Sequence, residues 1–209
     1  MATLSFPTLA RTAPTEMSEW ALNSNTRKHQ SPYTKTRRSL SIPGACWSFV
    51  AMWRNLGLPD RAILEAFVAD LDGTAGRFYF SHPMYRVPRG TARGTGTCAA
   101  ASQFATSLVL SGSGITSGTT LLRGDFVEVQ VAGQSPMLVR VLADAVASSS
   151  ITVSVKPMLR LAVPISTPFT LVSPRGQFEL MDDKQSMEVR PGWRGKGIGD
   201  FTLDAIESF

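Results

Sequence analysis

Apolar and polar positions alternate in short runs along most of this chain, and the densest run is "CWSFVAMW" at residues 46–53. Trp47, Phe49, Ala51 and Trp53 fall on one side of an extended strand, with Cys46, Val50 and Met52 on the other. A strand apolar on both sides is expected to be buried on both, centrally in a sheet or against a partner. Upstream, "EWALNSNTRKH" reads as a first strand with Trp20 and Leu22 on one face. "TRRSLSI" follows as another strand, with Leu40 and Ile42 two positions apart.

The period then changes. "LPDRAILEAFVADLDG" predicts a helix over about residues 59–72. Pro59 suits the first turn, Asp60 favours the positive end of the dipole, and Gly73 is a stop signal. Ile63, Leu64, Phe67, Val68 and Leu71 form a stripe suited to lying on a sheet. "GRFYFSHP" returns to period two, with Phe78 and Phe80 inward. Trp47, Phe49, Phe67, Leu71 and Phe78 are therefore the expected core.

Composition shifts near residue 84. "PMYRVPRGTARGTGTCAAAS" is rich in glycine, proline and small residues, as at a crossing into another module. "DFVEVQVAG", "MLVRVLA" and "SITVSV" then follow at hairpin-like spacing without a helix, which predicts a small antiparallel barrel or sandwich. "PFTLV", "QFELM" and "MEVRPGW" continue the strands, and "GIGDFTLDAIESF" closes with Phe201, Leu203 and Ala205 alternating. The expected fold is mainly β with one packed helix. Residues 1–84 and 176–209 form a discontinuous domain, and 85–175 an inserted antiparallel β module resembling a small barrel.

Hydrophobic residues make up 43% of the 209 positions and charged residues 18%, as in a globular chain able to bury a core. Two distant cysteines, Cys46 and Cys98, exclude a disulfide framework and are expected to be free thiols, as in a reducing cytoplasm. No export signal or membrane span is legible, so a soluble protein is expected. The net charge of +5 concentrates in Arg27, Lys28, Lys35, Arg37 and Arg38, and then in Arg86, Arg89 and Arg93. Single-strand binding needs stacking aromatics as well as charge. Only Tyr33 accompanies the first group and none is interleaved with the second, so nucleic acid is not the expected partner.

Catalytic chemistry finds little support. His29 and His82 are the only histidines, without metal-ligand spacing, and there is no GxSxG elbow. "GSGITSG" and "GKGIG" match neither phosphate-binding loops nor the dinucleotide fingerprint, and "GWRGKGIGDF" reads as a turn before a strand. "RGD" at Arg123–Asp125 is most simply a turn into "FVEV", and Asp182–Asp183 a solvated turn. Glu65, Asp70 and Asp72 lie on the helix and its exit, a poor place for a cleft. No catalytic residue, cofactor or metal is expected.

One resemblance runs through most of the chain. The Trp20 strand, the Ser31–Pro32 step, Pro43–Gly44 before Trp47, the helix exit Leu71, Gly73, Gly76 and Phe78, and the Gly124–Asp125 hairpin together resemble small distal-tail or baseplate-region proteins of long-tailed bacteriophages. The resemblance implies a virion structural protein with a β-sandwich belt, forming a ring, commonly a hexamer. Such a ring links the tail tube protein to the baseplate hub and fibres. Arg27, Lys28, Lys35, Arg37 and Arg38 would then form an assembly contact with an acidic neighbour. A carbohydrate- or cell-surface-binding tail-tip module is the alternative. It would place aromatics on loops, whereas the tryptophans at 20, 47, 53 and 193 fall mostly in predicted strands.

Overall fold

The computed structural model describes residues 3–9, 13–185, 187–190 and 198–209. In chain order the strands begin with β1 (Leu4–Ser5), β2 (Glu16–Asn23), β3 (Thr26–Gln30), β4 (Arg37–Ser41) and β5 (Cys46–Leu56). The helix α1 (Leu58–Leu71) follows, then β6 (Arg77–Ser81), β7 (Thr95–Cys98), β8 (Ser107–Ser111) and β9 (Thr120–Leu121). Next come β10 (Phe126–Val129), β11 (Met137–Val141), β12 (Ala145–Val146) and β13 (Ile151–Lys156). The last four are β14 (Thr167–Thr170), β15 (Arg175–Leu180), β16 (Met187–Arg190) and β17 (Ile198–Glu207). The protein is mainly β, with one α-helix among the described residues. Among the described residues no helix is long and apolar enough to cross a membrane.

The chain divides into two compact units. The first comprises residues 1–21, 47–86 and 175–209, and the second 22–46 and 87–174. The segment 22–46 thus groups with the barrel-bearing unit, against the sequence expectation that all of 1–84 lies in one domain. The single strand expected over "EWALNSNTRKH" is also two strands, β2 and β3, interrupted at Ser24–Asn25. At the break the Asn25 carbonyl accepts the Ile42 N–H at 2.8 Å, and its Nδ2 donates to the Pro43 carbonyl at 3.0 Å.

The first unit is built on a seven-stranded sheet in the order β1-β6-β15-β17-β5-β2, with β16 also pairing β17. Only β1–β6 among the registered pairs is parallel. Trp47, Phe49, Ala51 and Trp53 of β5 are buried, whereas Cys46, Val50 and Met52 are only half-buried. The strand expected to be buried on both sides is thus fully buried on the tryptophan side and only partly covered at Cys46, Val50 and Met52. The core is aromatic: Phe49 stacks on Phe80 at 4.5 Å and meets Phe178 edge-on at 4.9 Å.

Helix α1 starts with Pro in its first turn and ends at Asp72, whose left-handed backbone caps the last turn before Gly73. Its stripe is narrower than the sequence suggests. Leu64, Phe67 and Leu71 are buried, Val68 is half-buried and Ile63 is exposed. The Phe67 ring meets Phe6 at 5.3 Å and Phe78 at 5.6 Å, both edge-on.

The second unit contains a closed antiparallel barrel, β10-β11-β13-β8-β7-β14, in which β14 returns to β10. The buried cluster of this unit is mostly aliphatic and includes Leu108, Leu110, Val127, Val129, Val139, Val153 and Val155, with Phe169 as its one aromatic residue. Closure leaves these strands no free edge.

Candidate functional site: a basic hairpin

Among the described residues strands β3 and β4 pair only with each other, as a separate two-stranded sheet. Their register sets Arg27 opposite Leu40 and His29 opposite Arg38 on one face. Lys28 opposite Ser39 and Gln30 opposite Arg37 occupy the other. Side chains alternate between faces of a strand, so the cations divide between both sides of the ribbon. Lys35 sits in the turn with φ +57°. The turn is closed by Ser31, whose N–H donates to the Thr36 carbonyl at 3.0 Å and whose carbonyl accepts the Lys35 N–H at 3.1 Å.

Every residue of both strands is exposed, including Leu40, and Tyr33 at the turn is 93% exposed. A two-stranded ribbon with no buried face is marginal on its own. Between residues 22 and 46 the chain has five lysines and arginines and no acidic residue. The sequence-predicted contact residues Arg27, Lys28, Lys35, Arg37 and Arg38 are therefore brought together on one exposed ribbon. Arg86, Arg89 and Arg93 are not part of it: Arg86 belongs to the first unit, and the other two lie near the barrel's first strand.

The two units differ in charge more than the net value suggests. The hairpin-and-barrel unit has eleven lysines and arginines against three acidic residues, and two of those three, Asp125 and Glu128, are buried. The first unit has ten against thirteen. On this acidic unit Asp204 is held above the usual carboxyl range by partial burial and by the nearby charges of Glu19 and Asp182. Sequence reasoning missed this asymmetry, because the total of +5 is the sum of two opposite surpluses.

His82 is buried between the rings of Trp20 and Tyr85, each 4.6 Å away, and its Nδ1 accepts the Met84 N–H at 3.1 Å. His29 is exposed on the hairpin. Asp183 accepts the Thr74 N–H at 2.9 Å, and that bond lowers its pKa. Among the described residues no three acidic, histidine or cysteine groups gather to hold a metal ion. Asp125 of the "RGD" is 1% exposed, so this triplet cannot offer its carboxylate to a receptor. Trp47 and Trp53 are buried, Trp20 is half-buried against Phe49, and Trp193 with most of "GWRGKGIGDF" lies outside the described residues. No family model and no curated protein matches the chain.

Proposed function

We propose that this chain is a virion structural protein of a long-tailed bacteriophage, a subunit of a ring at the distal tail or baseplate that joins the tail tube to the hub and fibres. In this reading the first unit is a β-sandwich belt and the barrel is an inserted module. The role is architectural rather than enzymatic. The resemblance of the Trp20-to-Phe78 segment supports the family. The observation that carries an assembly role is the exposed basic hairpin on a chain whose other unit is acidic.

Opposite surpluses on two parts of one chain complement each other when copies meet head to tail. A head-to-tail contact closes into a ring when its rotation divides a full turn. Arg37 and Arg38 would meet carboxylates of the next copy or of a tail neighbour, and Glu19, Asp182 and Asp204 are suitable acceptors.

The test is charge reversal by Arg37→Glu with Arg38→Glu in the full chain. Circular dichroism and denaturant titration should show a folded monomer, shifted by only about 0.5 kcal/mol as for other surface changes. Light scattering and electron micrographs should show loss of rings or tails. Normal assembly and infectivity would overturn the reading, and salt-dependent DNA binding abolished by the same changes would replace it with a nucleic-acid grip. One observation favours the surface-binding alternative: Tyr33 presents a nearly bare ring on the hairpin turn. Glycan binding lost in Tyr33→Ala, with assembly intact, would support that alternative.

A further inference from the structure

We infer, resting on the assembly role proposed above, that β4 of the basic hairpin adds as an extra strand beside β2 of a second copy of this chain. The contact is then made by backbone hydrogen bonds as well as by charge.

The pairing inside the hairpin decides which backbone groups face outward. The Ile42 N–H donates to the Asn25 carbonyl and the Ser31 N–H to the Thr36 carbonyl, so both of these are hydrogen-bonded pairs. Such pairs alternate along an antiparallel ribbon, and the register is unbroken between them. Arg38 and Leu40 therefore bond inward, to His29 and Arg27. The N–H and C=O groups of Arg37, Ser39 and Ser41 on β4 point outward, as do those of Thr26, Lys28 and Gln30 on β3. Among the described residues no third strand pairs with either row.

The two edges differ. Lysine on an exposed edge discourages strand addition, and Lys28 holds the middle of the outward row on β3. On β4 that place belongs to Ser39, with Ser41 beyond it. Leu40 of the same strand is 67% exposed, and an added strand would cover it.

Charge selects the partner. Residues 22–46 contain no acidic residue, so two hairpins set edge to edge would bring only like charges together. The acidic surplus belongs to the first unit, whose seven-stranded sheet ends at β2 with Glu16 and Glu19. Glu19 and Asp182 both repel the Asp204 carboxylate, and an arginine brought to this group would relieve that repulsion. An antiparallel register that sets Arg38 opposite Glu19 also sets Leu40 opposite Met17, joining one charged pair and one apolar pair.

Light scattering of the full-length chain over a concentration series should show self-association, weakened at least about tenfold in Ser39→Pro. Proline is tolerated on an edge strand where its missing N–H would face outward, so this variant should keep the folded monomer, with circular dichroism as the check. Ser39→Ala keeps the N–H and should associate as the parent does, whereas Glu19→Lys should be weakened. Hydrogen exchange of the parent, read residue by residue, needs no variant: association should slow the Arg37, Ser39 and Ser41 amides. Undiminished association in folded Ser39→Pro, with assembly lost in Arg37→Glu with Arg38→Glu, would overturn strand addition and leave the charge contact standing. A parent chain that stays monomeric, equal loss in Ser39→Ala, or outward amides that exchange as fast in the associated form would also overturn it.

Discussion

Arg89 and Asp125 stand thirty-six residues apart, yet the Asp125 carboxylate accepts the Arg89 backbone N–H at 2.8 Å inside the barrel unit. The same carboxylate takes the N–H of Leu122 at 2.8 Å and of Gly90 at 3.3 Å. One buried side chain therefore ties the entry of the barrel module to the turn before β10. Asp125→Ala would leave these donors without their acceptor. An unsatisfied buried donor costs about 1–3 kcal/mol, so a loss on the order of 3 kcal/mol or more is expected in a denaturant titration. A loss under about 1 kcal/mol would show that other acceptors, such as water, take its place.

Phe67 should carry much of the attachment of α1. It is 8% exposed and its ring meets Phe6 and Phe78 edge-on. Phe67→Ala is expected to cost roughly 3–5 kcal/mol by loss of burial and creation of a cavity. Ile63→Ala, at an exposed position on the same helix, should change stability by about 0.5 kcal/mol or less. Equal effects of the two changes would contradict the observed face.

The two thiols should separate by reactivity. Burial pushes the Cys98 thiol up to about 11, whereas Cys46 is half-buried. The thiolate is the reactive form, so Cys98 should resist a disulfide reagent at neutral pH until the protein unfolds. Because its folded pKa lies above the unfolded one, the contribution of Cys98 to stability is complete below the unfolded value. It is lost as pH rises through about 11. Native-state labelling of Cys98 at neutral pH, as fast as in denaturant, would contradict this.

The parts of the fold legible in the sequence are those where burial follows a short period. Trp47, Phe49, Ala51 and Trp53 alternate in β5, Ile151, Val153 and Val155 in β13, and Phe201, Leu203 and Ala205 in β17, and all are buried. The helix was legible because Pro59, Asp60 and Gly73 mark its ends. The hairpin was harder to read: β3 has no apolar residue, so no pattern separates it from β2, and Asn25 at the break bonds to residues 42 and 43, which are distant in sequence. The role of Asp125 was hidden for a similar reason. A buried aspartate in a turn looks like a solvated one until the distant Arg89 and Gly90 amides are placed beside it.

The pairing of Ser81 with Arg175 has a further consequence. It makes β6 and β15 the two arms of a hairpin whose connecting loop is itself a folded body. That body is clasped in the same manner, since Thr95 at the start of β7 pairs with Thr170 at the end of β14. Once the barrel has closed, the partners of the outer hairpin are separated only by short linkers. A contact that is remote along the chain becomes kinetically near, and most of its loop-closure entropy has been absorbed within the barrel. The insert thus brings together the two neighbouring strands that it separates in sequence.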